Sequence, residues 1–239
     1  MTLPNPEVME LLADRFVLGW RNIESDTHVG LSHGYRCDQT AVGTTNGAGG
    51  RNVQLLILAT DQTVVHALPG FWHAEDLLPE LRLGLELHDL YVSEDRTAAQ
   101  KQAMFTALHR SFLRHLPAAT IERSKWQGFD EWAEIQRAQT GVRDTFALDD
   151  RGQVVLEKVG RVALKPLPQV VHERLLARPF RKLQDFGMES FVDYGRAFYD
   201  NNAGFDKGRD FTRAAKANAK REREAAKAAV TPKPSTGKG

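Results

Sequence analysis

An α/β (α+β) fold is what this sequence predicts, and three observations predict it. Val53, Leu55, Leu56, Ile57 and Leu58 form a short apolar run, and Val64, Val65, Ala67 and Leu68 follow after the polar break Thr60-Asp61-Gln62-Thr63, so the two read as strands joined by a hairpin turn. Beyond Pro69-Gly70 the apolar period becomes helical. Leu77, Leu78, Leu81, Leu85 and Leu87 fall mostly at helical spacing, with Glu75, Asp76, Glu80, Arg82 and Glu86 on other faces. A second strand-turn-strand pattern recurs at 145–160 among segments of helical periodicity.

The elements before this hairpin are a helix and then a strand. Asn5-Pro6-Glu7 is a compact helix start, with a capping side chain, a proline at the first helical position and an acid in the first turn. Val8, Leu11 and Leu12 give its buried stripe, and it is expected to end near Asp14. Phe16 to Ile23 reads as a strand, with Gly19 as a soft point. From Glu24 to Arg51 the pattern dissolves into a polar, glycine-rich connection, interrupted by a short helix around Cys37 to Val42.

Further along, Met104, Leu108, Phe112 and Leu116 predict a helix over 97–116 that Pro117 stops, and Phe129 to Gln139 predicts another. The pattern at 145–160 lines up with the first hairpin at a constant offset of 90, Leu58 with Leu148 and Gly70 with Gly160, a likeness that hairpins share in general. It is a candidate to extend the first sheet. Residues 169–177 and 186–199 read as helices, the second rich in aromatic side chains with Asp185 as its cap.

Composition sets further bounds. The 239 residues are 41% hydrophobic, enough to bury a core, and no apolar run is long enough for a membrane-spanning helix. Met1 to Pro6 has neither a basic start nor an apolar stretch, so a cytoplasmic product without a secretory leader is expected. Cys37 is the single cysteine, which excludes an intramolecular disulfide and any multi-thiolate zinc site. The net charge of +1 hides a segregation: from Lys207 on there are ten basic and three acidic residues, so the first 206 carry −6. Residues 207–239 therefore read as a basic, solvated helical or disordered tail.

Residues 4–90, NPEVMELLADRFVLGWRNI and then LLILATDQTVVHALPGFWHAEDLLPEL, resemble the thioredoxin-like family. The likeness is one of pattern, covers a little over a third of the chain, and implies a helix, a parallel strand, an antiparallel hairpin and a terminal helix. It also implies a Cys-x-x-Cys dithiol and a cis-proline. Neither is here: the dithiol position falls before Met1, and Gly49-Gly50-Arg51-Asn52 stands where the proline belongs. The expected architecture is thus an incomplete thioredoxin-like core at 1–92, lacking its usual central strand, then a mostly helical region at 93–206 and the tail. The function this implies is a non-catalytic interaction or scaffold module. The alternative is a thiol–disulfide oxidoreductase whose dithiol segment lies upstream of Met1.

Candidate chemistry is sparse. Cys37, with Arg36 and His33 nearby, is the one candidate thiol nucleophile, against the ordinary reading of an inert cysteine. His28, His33 and Cys37, with Asp38, are conceivable metal donors but lack a recognised ligand frame. Asn46 to Gly50 opens a strand and not a helix, so it lacks the N-terminus that anion binding uses. Asp185-Phe186-Gly187 is a chance kinase-like tripeptide. His66, His73 and His88 read as surface or partly buried imidazoles, and Glu131 with Glu134 and Asp149 with Asp150 as solvated acids. Phe71 and Trp72 are candidates for a partner-binding surface, with packing beneath the helix as the stronger reading. No cofactor and no membrane association are expected. The partners expected are a protein and, through the tail, nonspecific contact with anions or nucleic acid.

Overall fold

The computed structural model describes residues 2–22, 45–47, 53–126, 134–135, 138–139, 141–157 and 160–191. They are mixed helix and strand, within the compact unit Met1–Asn201. The short helix expected near 37–42 and the basic tail lie outside the described residues.

Helix α1 (Pro6–Arg15) starts as its sequence predicts: the Asn5 carboxamide accepts from the Glu7 and Val8 amides at 3.0 and 3.3 Å, and Val8 and Leu12 are buried. Over its described residues, 16–22, the strand expected after it does not form. Residues 16–22 carry no strand pairing, and Val17, Leu18 and Trp20 are 103%, 61% and 90% exposed. Alternating apolar residues make a strand only where a neighbour takes up the backbone groups, and no described strand lies alongside this one.

Strands β1 (Gln54–Leu58) and β2 (Val64–Pro69) pair antiparallel around the predicted turn, where Gln62 takes a positive φ of 65° and the Asp61 carboxylate accepts from the Thr63 amide at 3.1 Å. The two strands are buried unequally. Every residue of β2 is buried, His66 included, while the more apolar β1 is largely half-buried.

Helix α2 (Ala74–Val92) lies over the hairpin, and at Gly84 a Cβ would stand 2.1 Å from Ile57 Cδ1, so glycine permits the close approach of helix to strand. Two of its acids contradict the expected polar faces: Asp76 and Glu80 are buried. Helix α3 (Ala98–Arg114) begins with a capping box in which Thr97 and Gln100 satisfy each other's amides. Its buried face is turned by one residue from the predicted stripe. Phe105 and His109 are enclosed, and Met104 is exposed.

After α4 (Ala118–Arg123) and a helical segment of which Glu134, Ile135 and Ala138 are described, the pattern at 145–160 proves to be neither a lone hairpin nor an extension of the sheet. Three segments pair with one another. The Ala147 amide donates to the Ala163 carbonyl, Ala163 to Val155, and Val155 back to Ala147, each at 2.9 Å. Bridges Leu148↔Val154, Leu156↔Val162 and Phe146↔Leu164 flank this closed ring. Gly152 and Gly160, at φ of 76° and 73°, make its two turns.

Helix α5 (Leu167–Leu176) then enters the core beneath β2 and α3. A 3-10 turn at Leu183–Asp185 pairs beside the start of β2 and leads to α6 (Met188–Phe191), so Asp185 ends a turn and does not cap the helix. One apolar cluster joins all of this, from Val8 and Leu12 through β2 and α2 to Phe105, Val171, Leu175, Phe186 and Phe191. Among the described residues no helix is long and apolar enough to cross a membrane.

Candidate functional site

Four elements each send one titratable side chain into this core. His66 comes from β2, Glu80 from α2, His109 from α3 and His172 from α5, and all four are at most 1% exposed. They form a hydrogen-bonded chain. His66 Nε2 lies 2.8 Å from one Glu80 oxygen, His172 Nε2 lies 3.2 Å from the other, and His172 Nδ1 lies 2.7 Å from His109 Nδ1. Phe112 stacks on the His172 ring with centroids 4.8 Å apart, and Phe105 sits 4.4 Å from the His109 ring.

The proton count follows from the contacts. An ionised Glu80 accepts from both Nε2–H groups, and two imidazole nitrogens 2.7 Å apart hold one proton between them. His172 is the ring that joins the two contacts, with Nε2 donating to one Glu80 oxygen and Nδ1 sharing a single proton with His109. Burial alone would raise Glu80, but the charge of His172 and hydrogen bonds from His172 and His66 prevail and hold it at about 2. Burial pushes His66 down against the pull of Glu80, and burial with the charges of His172 and His66 pushes His109 down to about 2. The terminal nitrogens, His66 Nδ1 and His109 Nε2, are buried with no hydrogen-bond partner.

This arrangement can hold or pass a proton along its hydrogen bonds and is not built to coordinate. His172 turns opposite nitrogens to Glu80 and His109, so the donors run in a line and do not converge on a point, and among the described residues no group of His, Cys, Asp or Glu is disposed to hold a metal.

A second buried acid, Asp76, has a different environment. The Arg123 guanidinium grips it with Nε and Nη2, both at 2.8 Å, Thr120 donates at 2.7 Å and the Asn46 amide at 2.8 Å. These donors outweigh the upward push of burial and hold the carboxyl below its ordinary value. Asn46 also accepts from the His73 amide, which ties the start of α2 to α4 and the 45–47 turn.

The third feature is a backbone edge. Pro69 has no N–H, so its partner Gln54 sits in a non-hydrogen-bonded pair, and the alternation places Leu55↔Leu68 and Ile57↔His66 in bonded pairs. The main-chain groups of Gln54 and Leu56 therefore point away from β2, and among the described residues no strand pairs there.

Of the candidates drawn from sequence, His28, His33 and Cys37 lie outside the described residues. Trp72 is a core residue whose indole donates to the Pro69 carbonyl at 2.9 Å, so it is not available to a partner; Phe71 is half-exposed, with its ring edge-on to His73 at 5.0 Å. Glu134, expected in solvent, is buried and accepts from Thr145. His66 proves fully buried and part of the chain. Glu80, His109 and His172 carried no sequence signal read as chemistry, although the helical spacing from Phe105 to His109 and from Val171 to Leu175 around His172 places both rings near apolar faces. No family model, curated protein or solved structure matches this chain.

Proposed function

We propose that this chain is a non-catalytic interaction module of thioredoxin-like type, which accepts an extended segment of a partner protein along the outer edge of β1. The observation that carries the reading is that edge: Gln54 and Leu56 direct backbone donors and acceptors outward with no described strand to take them. A sheet edge of this kind is a template for strand addition. The thioredoxin-like resemblance expects a central strand in this sheet, and the exposed side chains of Val17, Leu18 and Trp20 supply apolar surface in the segment expected to flank it. One thiol in the chain, Cys37, leaves no dithiol for disulfide exchange. In this reading the module works in the cytoplasm, and its basic tail adds nonspecific attraction to anions.

The test uses Leu56→Pro. Proline there replaces a half-buried side chain and removes an outward-facing N–H, which edge strands tolerate, and takes no hydrogen bond from the β1–β2 ladder. The wild-type chain is expected to bind members of an immobilised panel of extended apolar peptides, with slowed amide exchange at Gln54 and Leu56, and Leu56→Pro to bind none. Binding that survives the proline, or no binding by either chain, rejects the reading. In an insulin disulfide-reduction assay the full chain is expected to add nothing to dithiothreitol alone. Acceleration that disappears in Cys37→Ser would instead favour the oxidoreductase alternative.

A further inference from the structure

The interaction reading makes no use of the imidazole–carboxylate chain, and its placement is costly to maintain. Three imidazoles and a carboxylate from four separate elements sit within an apolar cluster made mostly of Leu, Val and Phe side chains. Two of the ring nitrogens are buried without partners. A cluster serving packing alone would be more stable as apolar side chains of the same shape.

The dependence on this cluster is uneven. Helix α3 has 17 residues, and only Phe105 and His109 among them are fully enclosed. Leu108 and Phe112 pack half-buried beside them, so one of the two fully enclosed side chains that dock α3 is a base. By contrast, nine residues of α2 and seven of α5 are buried. Among the described residues, the charged groups facing the rings are those of the hydrogen-bonded chain itself. Glu80 faces them from α2, His66 from β2, His109 from α3 and His172 from α5. Asp76 on α2 is held by Arg123, and Arg174 on α5 by Asp144.

We infer that the His66–Glu80–His172–His109 chain is an acid-sensing latch: it holds α3 against β2, α2 and α5 while the His66 and His109 rings stay neutral, and releases α3 when they take up protons. A proton entering at His66 Nδ1 or at His109 Nε2 finds no hydrogen-bond acceptor there and puts a cation in a dry site. Once α3 opens, both rings reach water and take protons near the ordinary imidazole value of ~6.5.

The sign of the pH effect follows. His66 and His109 are both pushed down in the closed state, so that state binds fewer protons than the open one below ~pH 6.5. The latch is fully closed above that value and weakens as pH falls below it, by about tenfold per proton per pH unit, or roughly 100-fold per unit for two.

The experiment is amide hydrogen exchange on the full chain between pH 7.5 and 5, corrected for the intrinsic rate, with histidine ring NMR on the same samples. Residues 98–114 are expected to lose protection below pH 6.5, about 100-fold per unit, while β2 and α2 keep theirs. The ring spectra are expected to show His66 and His109 neutral until α3 opens. In His109→Phe, which fills the site with an aromatic ring, the slope is expected to fall to about tenfold per unit or less. Unchanged protection of α3 down to pH 5, or loss of protection everywhere at once, overturns the proposal. An undiminished slope in His109→Phe does the same. Should that variant not fold, the wild-type ring spectra decide: His66 or His109 charged in the closed state at pH 7 also overturns it.

Discussion

Asp76 and Glu80 stand one helical turn apart on α2, both buried and both held below their ordinary pKa, yet they are built for different ends. Asp76 is answered by an arginine, whose charge is permanent, and by two neutral donors, with every contact between 2.7 and 2.8 Å. Glu80 is answered only by imidazoles, whose charge is set by pH. The first arrangement is a strut that joins α2 to α4 and the 45–47 turn. The second is a conditional joint among β2, α2, α3 and α5. The chemistry of the partner, and not the burial of the acid, separates the two roles.

The largest effect that would expose this difference is expected in Glu80→Ala. It removes the acceptor from two rings at once and leaves a cavity in the middle of the core, which costs about 3–5 kcal/mol at pH 7. Urea unfolding at that pH measures it, and a loss below ~1 kcal/mol, the ordinary yield of one hydrogen bond, would show that the chain of rings holds nothing together. Next in size is Asp76→Asn, which keeps the shape but strips the charge from a site with an arginine donor, at about 1.5–3 kcal/mol.

The two sites also separate by pH window. The carboxyl of Asp76 is depressed, so its contribution is complete above the unfolded value of ~3.9 and fades only as pH falls below it. The deficit of Asp76→Asn relative to wild type should therefore be constant from pH 8 to 5. The deficit of His109→Phe should shrink as pH falls from 6.5 to 5, because wild type is then losing what the variant never had. Parallel curves for the two variants would erase the distinction.

Much of the fold is legible in the sequence, and the reasons are local. Asn5-Pro6-Glu7 specifies its helix start with its own side chains, Thr97 and Gln100 do the same for α3, and the hairpin at 54–69 follows from two apolar runs and a polar turn. What failed depends on neighbours. Residues 16–22 have strand composition without a described strand beside them, and the stripe predicted for α3 misses by one residue because periodicity treats His109 as polar. The three paired segments between 145 and 165 follow an eight-residue period, TFALDDRG, QVVLEKVG and RVALKPLP, which neither helical nor strand periodicity registers. The site was the least legible part. Glu80 looks like any exposed helix acid, and its partners lie 14 and 92 residues away, so no spacing rule connects them.

The smallest effect offers the finest discrimination, because it acts on α3 without touching either acid. Thr97 accepts from the Gln100 amide and Gln100 in turn caps the Thr97 amide, and removing such a cap costs about 1 kcal/mol. If α3 opens as a unit with two protons taken up, its stability changes by roughly 2.7 kcal/mol per pH unit below ~6.5. A deficit of about 1 kcal/mol then moves the opening of α3 in Thr97→Ala upward by about 0.4 pH units. The Asp76 strut lies outside α3, so amide protection around Asn46, Asp76 and Thr120 should not move with it. A shift of both regions together would mean that α3 and the strut unfold as one body, with the imidazoles titrating as a consequence of unfolding. A shift confined to residues 98–114 would place the pH response in the joint between Glu80 and its rings.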